Sequence, residues 1–277
     1  AIENQLRLGS DVAMVLDDVA HYGLSGKDYV DAIRRTHDWA KRSLLHHKKL
    51  LDEDNKKQLL FGIAQGGVKE DYRRFSTYKI NEMDFDGFAL GGLVVGETRD
   101  ELMQSIKTSV EHFSQNKIRY AMGLGSPSDI VCAVGLGVDC FDSIYPTSNA
   151  RHGSLLTRKG RIAIKKNIYK HDFTPIEHGC TCETCQRYSK AYIHHLLRTH
   201  ELLGYKLATI HNLHFMNVLL EDIRLAIKEQ RYASFQKDFL DKYFSGKEKK
   251  EFSNHVSQRY KKEDTLKKAV LHLPFKK

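Results

Sequence analysis

Leu59-Leu60-Phe61-Gly62-Ile63-Ala64-Gln65-Gly66-Gly67 is a short apolar run that ends on a polar side chain and two glycines. Similar short runs recur at Val12 to Leu16, Gly87 to Leu93, Arg119 to Leu124 and Cys140 to Tyr145, with longer amphipathic stretches between them. That alternation predicts parallel strands joined by helices. Helix starts are marked by caps: Ser25 with Asp28, Thr98 with Glu101, and Ser126-Pro127 with Asp129, where proline takes the first helical position. Each strand ends in a conspicuous group: Asp17-Asp18, Gln65-Gly66-Gly67, Gly91-Gly92, Gly123-Leu124-Gly125 and Asp142. A barrel of the (β/α)8 TIM type builds its site at strand C-termini. A doubly wound sheet places its ligand similarly, so both architectures remain open at this point. The strands number five where a closed barrel needs eight. Either later segments supply strands or the first ones are missing; the expectation is an α/β fold, a (β/α)8 TIM-type barrel missing its first strands.

The chain has 277 residues and is 41% hydrophobic, enough for a sizeable core. No stretch approaches the roughly 18 consecutive apolar residues of a membrane helix, and the N-terminus lacks the pattern of a signal peptide. The expected setting is cytoplasmic, with no membrane partner. Lys and Arg outnumber Asp and Glu by 44 to 35, for a net charge of +9. Much of the excess lies in Arg158 to Lys170 and in the tail Lys247 to Lys277, which suits a polyanion such as nucleic acid. The chain begins at Ala1, inside what reads as a helix, and the expectation is a processed, trimmed or incomplete sequence.

Beyond Ser154 the sequence turns basic and strand-like (Leu155, Leu156, Ile162, Ile164), then passes through a cysteine cluster into helices rich in His, Tyr and Lys. The expected division is a barrel core over 1–153, an inserted zinc-binding subdomain over 154–214, a closing barrel helix over 215–245, and a basic tail over 246–277. Apolar residues from Leu213 to Ile227 recur at a mostly helical spacing.

Two constellations carry chemistry. Cys180, Cys182 and Cys185 fall within six residues, and with His211 they supply a complete tetrahedral set for one zinc ion. His171, His178, His194, His195, His200 and His214 compete for the fourth place on spacing alone. Four protein ligands leave no open position for water, so the zinc is read as structural. Cys132 and Cys140 are read as buried packing residues. The second constellation is acidic: Asp17 and Asp18 at one strand end, Asp142 at another. A carboxylate so placed can attack an anomeric carbon and form a covalent glycosyl-enzyme. Gln65 and the Gly91-Gly92 pair add uncharged donors suited to the edge of a planar heterocycle.

Taken in order, Leu8-Gly9-Ser10-Asp11-Val12 through Asp17, Phe61 to Gly67, Gly91-Gly92-Leu93-Val94-Val95-Gly96-Glu97, Tyr120-Ala121-Met122-Gly123, Phe141 to Gly153 and the cysteine cluster resemble the tRNA-guanine transglycosylases, to about residue 245. The resemblance implies exchange of the wobble guanine of tRNA for a 7-deazaguanine, in the queuosine pathway. In it Asp142 matches the nucleophile. Asp17, Gln65, Gly92 and Leu93 would hydrogen-bond the base, Met122 would cover one face of its ring, and Tyr120 would line the pocket. Arg151 would contact the anticodon, and the zinc set would be Cys180, Cys182, Cys185 and His211. The implied partners are the tRNA anticodon loop, a guanine or 7-deazaguanine base, and a second subunit in a homodimer or heterodimer.

Several departures qualify the match. The family's Asp-Ser-Gly-Gly-Phe-Gln motif, which carries its acid-base Asp, does not occur here, and the expectation is a truncated or split enzyme, inactive as written. Ser148 stands where the family usually has Arg, which should weaken anticodon recognition. Val19 departs from the bacterial branch, whereas Leu93-Val94-Val95-Gly96 resembles it, and the Pro146 to Gly153 run argues against the archaeal branch. Two other readings are a non-catalytic tRNA-binding partner subunit and a zinc-bearing nucleic-acid-binding module without base chemistry. The last leaves Asp17, Gln65 and Asp142 unexplained.

Overall fold

A computed structural model describes residues 1–54 and 57–245, so the expected basic tail over 246–277 lies outside the described residues. The described residues divide into two compact units, one comprising 1–123 and 136–141, the other 124–135 and 142–245.

The first unit begins with α1 (Ile2–Leu8) and alternates strictly thereafter: β1 (Val12–Met14), α2 (Gly26–Asp54), β2 (Leu59–Ala64), α3 (Glu70–Asn81), β3 (Gly87–Leu90), α4 (Arg99–Val110), β4 (Ile118–Ala121) and β5 (Cys140–Phe141). The strands form one sheet in the order β1-β2-β3-β4-β5, every pair parallel. A doubly wound sheet reverses its order at a switch point, whereas barrel strands follow one another in sequence. The sheet is thus the barrel type, with five parallel strands among the described residues.

Its core lies on β2 and β3. Leu60, Ile63 and Ala64 on β2 and all of β3 are buried, together with Ile80 and Ile106 from the covering helices. Phe88 stacks on Phe113 with ring centroids 4.7 Å apart, a contact worth about 1 kcal/mol beyond the area it buries. Two of the three helix starts marked in the sequence are side-chain caps. Thr98 and Glu101 form a reciprocal capping box on α4, and Ser25 Oγ donates to Asp28 Oδ2 at 2.6 Å at the start of α2.

The strands are shorter than the apolar runs that announce them. Leu93 and Leu124 are buried yet lie in loops past β3 and β4. An apolar side chain tucked under a loop carries the same sequence signal as one on a strand. Cys140 is exposed and Cys132 only half-buried, against the expectation that both pack in the core. Cys140 begins the two-residue β5, which in this sheet pairs only with β4.

In the second unit α5 (Pro127–Leu136) starts at its proline, and α6 (Tyr145–Arg151) leads into the antiparallel hairpin of β6 (Ser154–Thr157) and β7 (Gly160–Ala163). A 3-10 turn (Asn167–Tyr169) precedes α7 (Glu183–Arg187), α8 (Lys190–Arg198), α9 (Leu202–Lys228) and α10 (Tyr232–Tyr243). α9 packs on α6, α7, α8 and β6. It is one continuous helix across 214/215, so His211 and the apolar residues 213–227 share an element. Asn212, fully buried on α9, accepts from Leu156 N at 2.9 Å and donates to Pro146 O at 2.9 Å and Ser154 O at 3.1 Å. One amide thereby ties α9 to α6 and the hairpin. α10 reaches back to α5, where Tyr232 Oη and Gln236 Nε2 both donate to Val131 O, at 2.6 and 3.1 Å.

Candidate functional site

The first unit gathers Asp17, Gln65 and the Gly91-Gly92 pair at the C-terminal ends of β1, β2 and β3. Gln65 is 2% exposed, and its Nε2 donates to Asp17 Oδ2 at 2.6 Å. The two glycines lie directly against that amide. A Cβ on Gly91 would sit 2.6 Å from Gln65 Nε2 and 3.2 Å from Asp17 Oδ2, and one on Gly92 would sit 2.5 Å from Gln65 Oε1. Gly92 also has φ +66°, a conformation that side chains resist. The glycines are there because the strand ends approach closely.

Supporting contacts fix this arrangement. On the chain just past Asp17, Asp18 donates its N–H to Thr36 Oγ1 at 2.9 Å and pairs through its carboxylate with Arg35, both on α2. The Gln65 N–H goes to the buried Ser76 Oγ at 2.9 Å, which in turn meets His37 Nε2 at 2.9 Å. Burial pushes His37 down to about 4, so the imidazole is neutral near pH 7. After Leu93, Val94 adopts φ +62°, a costly conformation for a β-branched residue. Glu97 holds that turn: its carboxylate accepts from the N–H of Val94 and, at 2.9 Å, from that of Val95. Tyr120, half-buried, pairs with Ala89 across β3 and β4, and half-buried Met122 follows β4 directly.

Burial raises the Asp17 carboxyl above its usual 3.8 by more than the Gln65 hydrogen bond lowers it. An acid whose folded pKa is raised favours the fold while protonated, and that contribution is lost as pH rises through the raised value. Asp17→Asn is therefore expected to raise the thermal unfolding midpoint near pH 7, and the difference from wild type should vanish by about pH 3, below the unfolded value. Thermal denaturation at both pH values checks it. A carboxylate kept at a cost to the fold fits a ligand-binding role.

In the second unit Cys180, Cys182, Cys185 and His211 converge, with ligand atoms all within 4.8 Å of one another. His211 Nδ1 lies 3.8, 3.6 and 3.4 Å from the Sγ atoms of Cys180, Cys182 and Cys185. Zinc bonds of about 2.3 Å to sulfur and 2.0 Å to nitrogen imply S···N edges of about 3.5 Å in a tetrahedron, which these distances match. The other imidazole nitrogen, Nε2, donates to Leu156 O at 2.8 Å, leaving Nδ1 with its lone pair for a metal. Three thiols this close cannot all ionise without a cation. A hydrogen bond from Cys185 draws Cys182 down to about 3, while the same bond and burial push Cys185 up. The donor set fits a closed metal site. The competing His214 bonds Thr181 Oγ1 at 3.1 Å instead, and His194 Nδ1 bonds Ile164 O at 2.8 Å.

Asp142, exposed, is the residue immediately after β5, and Arg151, also exposed, ends α6. Arg73, Ser76 and Asn212 are not singled out by the sequence, and Glu97 stands there only as the end of a motif, with no role of its own. Each acts through buried or backbone contacts that leave no local pattern. Among the described residues no helix is long and apolar enough to cross a membrane.

Comparison with known proteins gives a consistent result. The family model described as Queuine tRNA-ribosyltransferase matches residues 1–245. A Queuine tRNA-ribosyltransferase of Helicobacter pylori (strain Shi470) is 46% identical over 244 residues, covering 88% of this chain and 65% of the relative. Proteins of the same name from Helicobacter acinonychis (strain Sheeba) and Dehalococcoides mccartyi (strain ATCC BAA-2100 / JCM 16839 / KCTC 5957 / BAV1) are 45% and 42% identical, over 87% and 88% of this chain. The chain spans 64% and 60% of their lengths.

Proposed function

Since the chain belongs to the queuine tRNA-ribosyltransferase family, we propose that it carries the base pocket and nucleophile of a tRNA-guanine transglycosylase. The observation that carries this reading is the cluster of Asp17, Gln65, Gly91 and Gly92, an acceptor, an amide and side-chain-free backbone at three neighbouring strand ends. Such a group suits a purine edge. Asp17, Gln65, Gly92 and Leu93 hydrogen-bond the base, Met122 covers one face, and Tyr120 lines the pocket.

In the first half-reaction a carboxylate oxygen of Asp142 attacks C1′ of the wobble ribose. The C1′–N9 bond breaks, and its electron pair leaves with guanine, which takes up a proton at N9. In the second, the incoming 7-deazaguanine attacks C1′ from the opposite face, loses its ring proton, and releases the Asp142 carboxylate. Two inversions at C1′ retain configuration. Arg151 contacts the anticodon loop of the tRNA, and Cys180, Cys182, Cys185 and His211 hold one zinc ion whose role is to fold the segment around them. A homodimer or heterodimer and a cytoplasmic setting complete the reading.

The test is exchange of radiolabelled guanine into tRNA with a guanosine wobble base, run on this chain and on any longer form its gene encodes. Label entering tRNA with either form is the expected result. If both bind tRNA and neither exchanges label, the protein is a binding subunit and the transglycosylase reading fails.

A further inference from the structure

Arg73, on α3, is the largest fully buried side chain among the described residues, at 0% exposed. Its guanidinium donates to three carbonyl oxygens: Gly67 O from Nε at 3.1 Å and Nη2 at 2.8 Å, Ala64 O from Nη1 at 3.1 Å, and Gly91 O from Nη1 at 3.0 Å and Nη2 at 2.9 Å. Burial lowers it only to about 10, so it stays charged near neutral pH. A buried cation is costly unless its donors are engaged, and here they are spread over the end of β2 and the turns after β2 and β3.

The three carbonyls determine more than local packing. The C=O and N–H of a trans peptide point in opposite directions, and the described residues contain no cis bond. The link between Ala64 and Gln65 displays the consequence: its carbonyl is on Arg73 and its N–H is on Ser76 Oγ. By the same geometry, the Gly91 carbonyl on Arg73 fixes the Gly92 N–H on the far side of that peptide. Neither glycine has a side chain to hold the peptide in place, and the space against Gln65 permits none.

We propose that Arg73 is a positioning residue for base selection. By retaining the Gly91 carbonyl it commits the Gly92 N–H as a donor in the pocket, so that the pocket accepts a 6-oxopurine and rejects a 6-aminopurine. If that peptide turned over, a carbonyl would replace the donor and would match the amino group. This rests on reading Asp17, Gln65 and Gly92 as a base pocket.

Guanine and 2,6-diaminopurine share the 2-amino group and differ in the 6-substituent and in the proton on N1; the N1 difference is common to every variant, so the change in their affinity ratio on substitution, read by titration calorimetry, tests the idea. Wild type is expected to prefer guanine by about tenfold or more, the cost of setting a donor against a donor. Arg73→Met should shrink the ratio by about tenfold, and Arg73→Lys, which retains charge but not the fork, should fall between. Should Arg73→Met fail to fold, the Lys variant decides. A variant that binds guanine more weakly with the wild-type ratio intact shows that Arg73 serves stability alone and overturns the proposal. Wild type binding neither base would overturn the pocket reading itself, a different and separable result.

Discussion

His211→Ala is expected to abolish metal retention and to lower the unfolding midpoint by about 10 °C or more, from a loss on the order of 4 kcal/mol. His211 is fully buried, and its ring joins three elements at once: Cys182 at the cap of α7 with Cys185 within it, the Cys180 turn, and the Leu156 carbonyl on β6. Removing the ring leaves three thiols with no fourth ligand and a buried carbonyl without its donor. Each is among the few ways one substitution costs several kcal/mol. His214→Ala supplies the control. Its ring sits one turn along the same helix but bonds Thr181 Oγ1, and its removal should leave zinc content and midpoint nearly unchanged. Zinc is measured by mass spectrometry of the dialysed protein, and stability by thermal denaturation with and without chelator. If the His211 variant retains zinc while the His214 variant loses it, the ligand set is wrong. A chelator that strips zinc without moving the midpoint would show that the ion does not support the fold.

Asp142→Asn is expected to eliminate a covalent tRNA adduct and to depress base exchange by roughly 10^4- to 10^6-fold, the range seen when members of a covalent catalytic unit are removed elsewhere. The amide is nearly the same size as the carboxylate but a far poorer nucleophile toward C1′. Asp142 is exposed at the end of a strand, so the substitution should barely alter stability, and tRNA affinity should stay within about threefold because only one charge among many contacts is lost. The adduct is sought on a denaturing gel after incubating protein with tRNA in the absence of competing base, using whichever form exchanges label. Its persistence in the Asn variant would assign the nucleophile to another residue. Its absence from wild type, with exchange intact, would argue for direct displacement.

Much of this protein is fixed by local sequence. Apolar runs and caps locate β1 to β5 and the starts of α2, α4 and α5, because strand period, capping hydrogen bonds and proline geometry act over a few residues. The clustering of Asp17, Gln65 and Gly91-Gly92 at strand ends is legible for the same reason, as is the cysteine triplet, whose ligands lie within six residues. Resemblance to a known family then singled out His211, where spacing left seven histidines in contention. What the sequence alone left undecided is how distant segments meet. Sequential pairing of the strands, which excludes a doubly wound sheet, is a property of the sheet and not of any strand. The fates of Arg73 and Arg74 make the point most plainly. They are adjacent, identical in type, and sit in the same helix, yet Arg74 pairs with Glu70 at the surface while Arg73 is wholly buried on three carbonyls. A helix turns by about 100° per residue, so neighbours face different surroundings, and only the packing of α3 against the ends of β2 and β3 decided which of the two would organise the site.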